Sequence, residues 1–154
     1  MEYVIVKWLH ILSSTLLFGT GLGSAFYMFF TSLSRDARAV AKVVKLVVIA
    51  DWSFTTPTII VQPATGFYLI HLAGFPLEST WIAASLVLYL LAGACWLPVV
   101  WMQIRMREMA TLAASTDTEL PATYWRYLRW WTALGVIAFA ALVVVFYLMV
   151  AKPM

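Results

Sequence analysis

Residues 130–150 read WWTALGVIAFAALVVVFYLMV, without one charged side chain. A hydrocarbon core of about 30 Å is crossed by roughly 20 helical residues at 1.5 Å each, so this stretch is a membrane span. Working back along the chain, residues 8–30, 50–72 and 81–102 are apolar over the same length. The connectors are residues 31–49, 73–80 and 103–129, and short connectors make successive helices antiparallel neighbours. The expected fold is an all-α integral membrane protein, a single four-helix up-down bundle over residues 1–154. Arg38, Lys42 and Lys45 recur at helical spacing in the first connector, which is expected to be partly helical. Residues 113–123, with Ser115, Thr116, Asp117, Thr118 and Pro121, are the expected flexible loop.

Composition agrees. Of 154 residues, 64% are hydrophobic and 11% charged, whereas a soluble domain carries about 25% charged residues. So few charges cannot cover a water-facing surface. Eight tryptophans and seven tyrosines suit the lipid–water boundary, where a ring needs both an apolar body and a polar tip. Trp125, Trp130 and Trp131, with Arg126 and Arg129, are expected to form such an anchor. The single cysteine, Cys95, lies in an apolar run and is expected to serve packing. The first apolar run exceeds the roughly 7–15 residues of a signal-peptide core and is expected to remain as a helix.

Basic residues are held on the cytoplasmic side of a membrane. Arg35, Arg38, Lys42 and Lys45 lie in the first connector, and Arg105, Arg107, Arg126 and Arg129 in the third. The tails carry only Lys7 and Lys152, and the second connector none. Both termini and the turn at residues 74–76 are therefore expected outside a bacterial inner membrane. The net charge of +3 is explained by arginines facing anionic lipid, without nucleic acid.

Polar groups at membrane depth are costly and mark candidate sites. His10, Ser14, Leu17, Gly21, Ser24 and Met28 follow a 4-3-4-3-4 spacing, which is one helical stripe. Lys7 lies a turn further out on the same face. The stripe reads either as a cofactor cleft headed by His10 or as close packing with His10 bonded to a neighbouring helix. Gly19 and Gly23 have the spacing that admits a partner helix. In the second span Asp51, Thr55, Thr58, Gln62, Thr65 and Leu69 repeat the spacing. Pro57 and Pro63 remove donors there and leave carbonyls for neighbours to satisfy. Gln62, near mid-membrane, must bond another helix or a ligand, and Asp51 is expected to meet water or Arg105. His71 returns to the same side of the membrane as His10. At about 100° per residue it falls roughly opposite the polar stripe, so it is the less favoured metal ligand. The last span shows no polar stripe and is expected to be structural. Hydrolase, nucleotide-binding, thiol-redox and zinc-protease motifs are absent, and few acids lie in the spans for a proton-coupled transporter.

Lys7-Trp8-Leu9-His10, Thr56-Pro57, Gln62-Pro63-Ala64-Thr65-Gly66, the segment from Trp96-Leu97-Pro98 to Gln103-Ile104-Arg105, and the ending Ala151-Lys152-Pro153 carry a resemblance. The chain resembles an uncharacterised bacterial four-span membrane family, a domain of unknown function. More distantly it is similar to the copper-resistance CopD membrane domain and the HemJ-type protoporphyrinogen oxidase. Resemblance to HemJ implies a haem b whose first-helix histidine matches His10, with matches at Thr56-Pro57, Gly66 and Lys152-Pro153. HemJ carries a lysine shortly after the tryptophan that opens its third span; here Trp81 is followed by Ile82, Ala83, Ala84 and Ser85. The Asn-Glu near the start of its last span is replaced around Trp131 and Thr132.

The reading that follows is a haem b-binding membrane protein with a redox or electron-transfer role. His10 is the expected axial ligand of the iron, and Lys7 and Lys152 face the propionates. Ser14 and Gln62 line the pocket, and His71 is a weaker second candidate for the metal. Two alternatives are a HemJ-type oxidase, and a cofactor-free accessory subunit binding lipid, quinone or a partner helix through the Gly19–Gly23 face. The expected partners are the lipid bilayer and a second copy or a redox protein.

Overall fold

The computed structural model describes residues 1–153; Met154, the last position of the expected 1–154 domain, lies outside the described residues. The helices are α1 (Glu2–Leu33), α2 (Ala37–Ala50), α3 (Thr56–Ala73), α4 (Thr80–Thr116) and α5 (Ala122–Ala151), with one π-helical turn, Asp51–Thr55, fusing α2 to α3. Four continuous helical stretches are long and apolar enough to cross a membrane, and the described residues form no strand. The chain is a four-helix membrane bundle.

Local chemistry sets the breaks. Arg35 turns the chain with φ +59°, and the Asp36 carboxylate then caps α2 by accepting from the backbone N–H of Arg38 at 2.9 Å and Ala39 at 3.1 Å, as N-caps do. Gly74 ends α3 in the left-handed region at φ +68°, where glycine escapes the clash its Cβ would cause. Pro121 precedes α5, and Lys152, at φ +41°, ends it.

The helices overrun the spans expected from hydropathy. At 1.5 Å per residue the 37 residues of α4 reach about 55 Å, well beyond a hydrocarbon core. Its overhang packs with α2 and the start of α5 into an arm that turns most of the two long connectors into helix. Of the expected loop at residues 113–123 only residues 117–121 are not helical. This connector end holds the tightest core: Met28, Val40, Val44, Met106, Ala110 and Tyr124 are fully buried. Ser32 Oγ donates to the Met28 carbonyl at 2.7 Å, so the Tyr124 hydroxyl, 2.6 Å away, donates to Ser32. That bond ties α1 to α5.

At the terminal end, where both tails and the residue 74–79 turn meet, packing is looser. There α1 lies along α3 and α4 along α5, while α1 touches α5 only lightly. The seam between the two pairs contains two cavities. Leu17, Phe18, Tyr89 and Leu142 line both and form the partition between them. Pro63 has no N–H to give the carbonyl four residues earlier, and that carbonyl, Ile59, accepts from the Tyr89 hydroxyl at 2.7 Å. The neighbour expected for a proline-freed carbonyl is thus Tyr89, and the bond crosses the seam.

Candidate functional site

His10 projects from α1 onto one face of α3 formed by Gln62, Thr65 and Gly66. These positions are three or four residues apart and therefore adjacent on the helix surface. His10 Nδ1 lies 2.8 Å from Thr65 Oγ1. The Thr65 hydroxyl spends its own hydrogen on the Val61 carbonyl at 2.7 Å, with Gln62 O at 3.2 Å, so its oxygen can only accept. The proton on the ring is therefore on Nδ1, and the Nε2 lone pair accepts from the Gln62 side-chain amide at 3.1 Å. Gly66 lets the ring come this close: a Cβ there would lie 3.3 Å from His10 Cε1.

The ring stands in the wall of a cavity of about 510 Å³, within the usual range of small-molecule sites. Its walls are apolar and aromatic, with Phe18, Trp81 and Phe146 among them. Lys7, Ser14, Gln62 and Lys152 all line it. Lys152 Nζ sits 4.8 Å from the centre of the Phe75 ring and 5.7 Å from that of Trp81, and Lys7 Nζ 5.7 Å from that of Tyr3. Among the described residues the lining contains two ammonium groups and no carboxylate. Such a mouth favours an anionic group above an apolar body.

His71 is exposed and lines neither cavity. Among the described residues no three His, Cys, Asp or Glu side chains gather to hold a bare metal ion. Ser14 donates only to its own helix, to the Ile11 carbonyl at 2.8 Å.

The second cavity, of about 420 Å³, lies toward the connector end. Asp51 and Thr55 line it, and Thr55 Oγ1 donates to the Asp51 carboxylate at 2.9 Å. Asp51 is buried and forms no ion pair with Arg105, which was one of its two expected partners. Arg105 instead pairs with Glu108 at 2.9 Å and covers the Trp101 ring at 5.8 Å, because the α4 overhang carries it away from the lipid core. Trp131, expected at the interface with Trp130, is buried in this cavity's wall, whereas Trp130 is exposed.

The last span contributes to the walls of both cavities. Trp131, Gly135, Ala138, Leu142, Val145 and Met149 all line the seam. They follow a 4-3-4-3-4 spacing, but no polar residue marks that face off from the lipid-facing ones. Gly19 and Gly23 have nothing within 4 Å of a built Cβ, so no helix of this chain fills the face they leave.

A family model described as "Predicted integral membrane protein (DUF2269)" matches residues 4–153. No curated protein and no solved structure matches.

Proposed function

The chain belongs to this family of predicted integral membrane proteins, and from that premise we propose that it binds haem b at the terminal-end cavity and serves electron transfer. The observation that carries the reading is His10. Its imidazole is held in one tautomer by Thr65, with Nε2 as the remaining lone pair, beside a cavity that has two ammonium groups and, among the described residues, no acid. A ligating histidine ordinarily donates its other ring N–H to an oxygen of the protein, and Thr65 receives it here. Lys7 and Lys152 would take the propionates, and the aromatic wall would exclude water. Bound there, haem supplies a one-electron couple whose potential follows axial ligand and burial. Gln62 would have to turn aside, since its amide now occupies Nε2. The basic bias of the connectors supports an orientation with both termini outside a bacterial inner membrane.

A second reading has its own observation. Both His10 nitrogens are bonded within the chain, as in a cofactor-free subunit whose histidine merely pins α1 to α3. The visible spectrum of protein purified in detergent from haem-replete cells separates the two. Haem binding predicts a Soret band that shifts on reduction, is lost in His10→Ala, and survives in His71→Ala. It also predicts that Gln62→Leu retains or strengthens the band, because the variant removes the competitor for Nε2. Colourless wild-type protein would leave the pinning role in its place.

A further inference from the structure

We propose that the terminal-end cavity is loaded from the bilayer, sideways through a gap between α1 and α5 that Lys7 and Lys152 flank. The inference rests on the haem reading above and adds the route by which an anionic amphiphile reaches His10.

The cavity has four sides, and three are closed. Between α1 and α3 the His10 ring bridges to Thr65 and Gln62 at 2.8 and 3.1 Å, and the Tyr68 hydroxyl donates to the Glu2 carboxylate. Helices α4 and α5 pack most closely of all. Between α3 and α4 the Tyr89 hydroxyl bonds the Ile59 carbonyl at 2.7 Å, and the Phe75 and Trp81 rings meet edge to face at 5.4 Å. Phe67 of α3 lines the cavity and is exposed, whereas Trp81, Ile82 and Ser85 of α4 are at most 6% exposed.

The fourth side is open. Helices α1 and α5 meet where the Phe18 ring lies 4.7 Å from that of Phe139 and 5.3 Å from that of Phe146, at the partition between the cavities. Nearer the tails, Ile11 and Thr15 of α1 and Met149 and Val150 of α5 line the cavity and are exposed as well, Ile11 by 53% and Val150 by 85%. A residue that both lines a cavity and is exposed stands at its opening. These positions lie in apolar spans, so the opening faces acyl chains.

The charges stand at the same place. Lys7 lies on α1 one turn beyond Ile11, and Lys152 directly follows α5. The two ammonium groups of the lining thus belong to the two helices that leave the gap. An anionic amphiphile rests in a bilayer with its charge among the headgroups and its apolar body among acyl chains. Entry between α1 and α5 keeps both parts in their own surroundings throughout, the charge passing to the lysines and the body to the aromatic wall. Over the end of the bundle, by contrast, Lys152 Nζ is drawn onto the Phe75 and Trp81 rings, which narrows the way in from water.

The test mixes full-length protein, purified without haem and held in liposomes, with haemin in a stopped-flow instrument. Growth of the Soret band gives the association rate, and transfer to excess apomyoglobin gives the dissociation rate. Ile11→Trp and Thr15→Trp narrow the gap and should slow both rates roughly fivefold or more. The equilibrium constant should stay within about twofold, because a portal sets the barrier and not the end states. Leu90→Trp, on a lipid-facing position that lines neither cavity, should load as wild type does. Should either variant fail to fold, Val150→Trp narrows the gap from the other helix and is read in the same direction. Unchanged rates in the folded variants, or an affinity that falls in step with the association rate, overturn the lateral route alone. Wild-type protein that takes up no haemin overturns the haem reading and this one with it.

Discussion

Gly66 illustrates how much a single residue decides at this site. The His10 ring packs against its backbone, and a methyl group there would sit 3.3 Å from Cε1, closer than ordinary packing allows. The ring cannot shift freely, because Thr65 and Gln62 hold its two nitrogens. Gly66→Ala is therefore expected to lower stability by about 1–3 kcal/mol, the usual cost of overpacking. Gly19→Ala, with open space around it, should be neutral or slightly stabilising through helix propensity. Thermal unfolding in detergent, followed by circular dichroism, compares the two. Equal behaviour would mean that the ring is looser than its contacts imply.

Among the elements, α3 depends on its neighbour. Pro63 leaves the Ile59 carbonyl without its helical partner, and Tyr89 of α4 supplies the hydrogen across the seam. Tyr89→Phe should cost about 1–3 kcal/mol, the penalty for a buried acceptor left unmet. In a Pro63→Ala background, which restores the N–H, the same substitution should cost clearly less. A double-mutant cycle measures the coupling, and strict additivity would refute this account of the kink. The sequence makes the faces of α1 and α3 legible because polar residues at 4-3-4 spacing stand out against lipid-facing leucine and phenylalanine. His10, Gln62 and Lys7 were found that way, and Lys152 through the family resemblance. The matching faces of α4 and α5 are written in glycine, alanine and aromatic residues, which also suit lipid, so the connector-end cavity and the burial of Trp131 could not be read beforehand. The helix ends beyond the spans are not legible for a related reason. Hydropathy falls where α4 leaves the membrane, yet α2 and α5 pack on that overhang and keep it helical.

At the level of the whole molecule, two expectations are open to direct test. The basic residues divide eight to two between the connectors and the tails. A phosphatase reporter fused at the C-terminus should be active outside the cytoplasm, whereas one inserted near Asp117 should not; the reverse would invert the orientation and leave the bundle intact. The second expectation concerns chemistry. Oxidation of a porphyrinogen needs a proton acceptor within bonding reach of the substrate. The lysine and glutamate that HemJ offers are missing here, and among the described residues the lining of the His10 cavity contains no carboxylate. Asp51 belongs to the other cavity. Expressed in a bacterium without its own protoporphyrinogen oxidase, this protein should fail to restore growth, and robust growth would favour the enzyme over the electron carrier. Finally, the bond between Ser32 and Tyr124 joins residues 92 positions apart and sits in the tightest core of the molecule. At about 5–20 residues per second, a ribosome takes on the order of 5–20 s to deliver the second partner after the first. Over that interval α2, α3 and α4 are made while α1 still lacks its partner on α5, so the nascent chain should be most vulnerable to membrane proteases before α5 emerges.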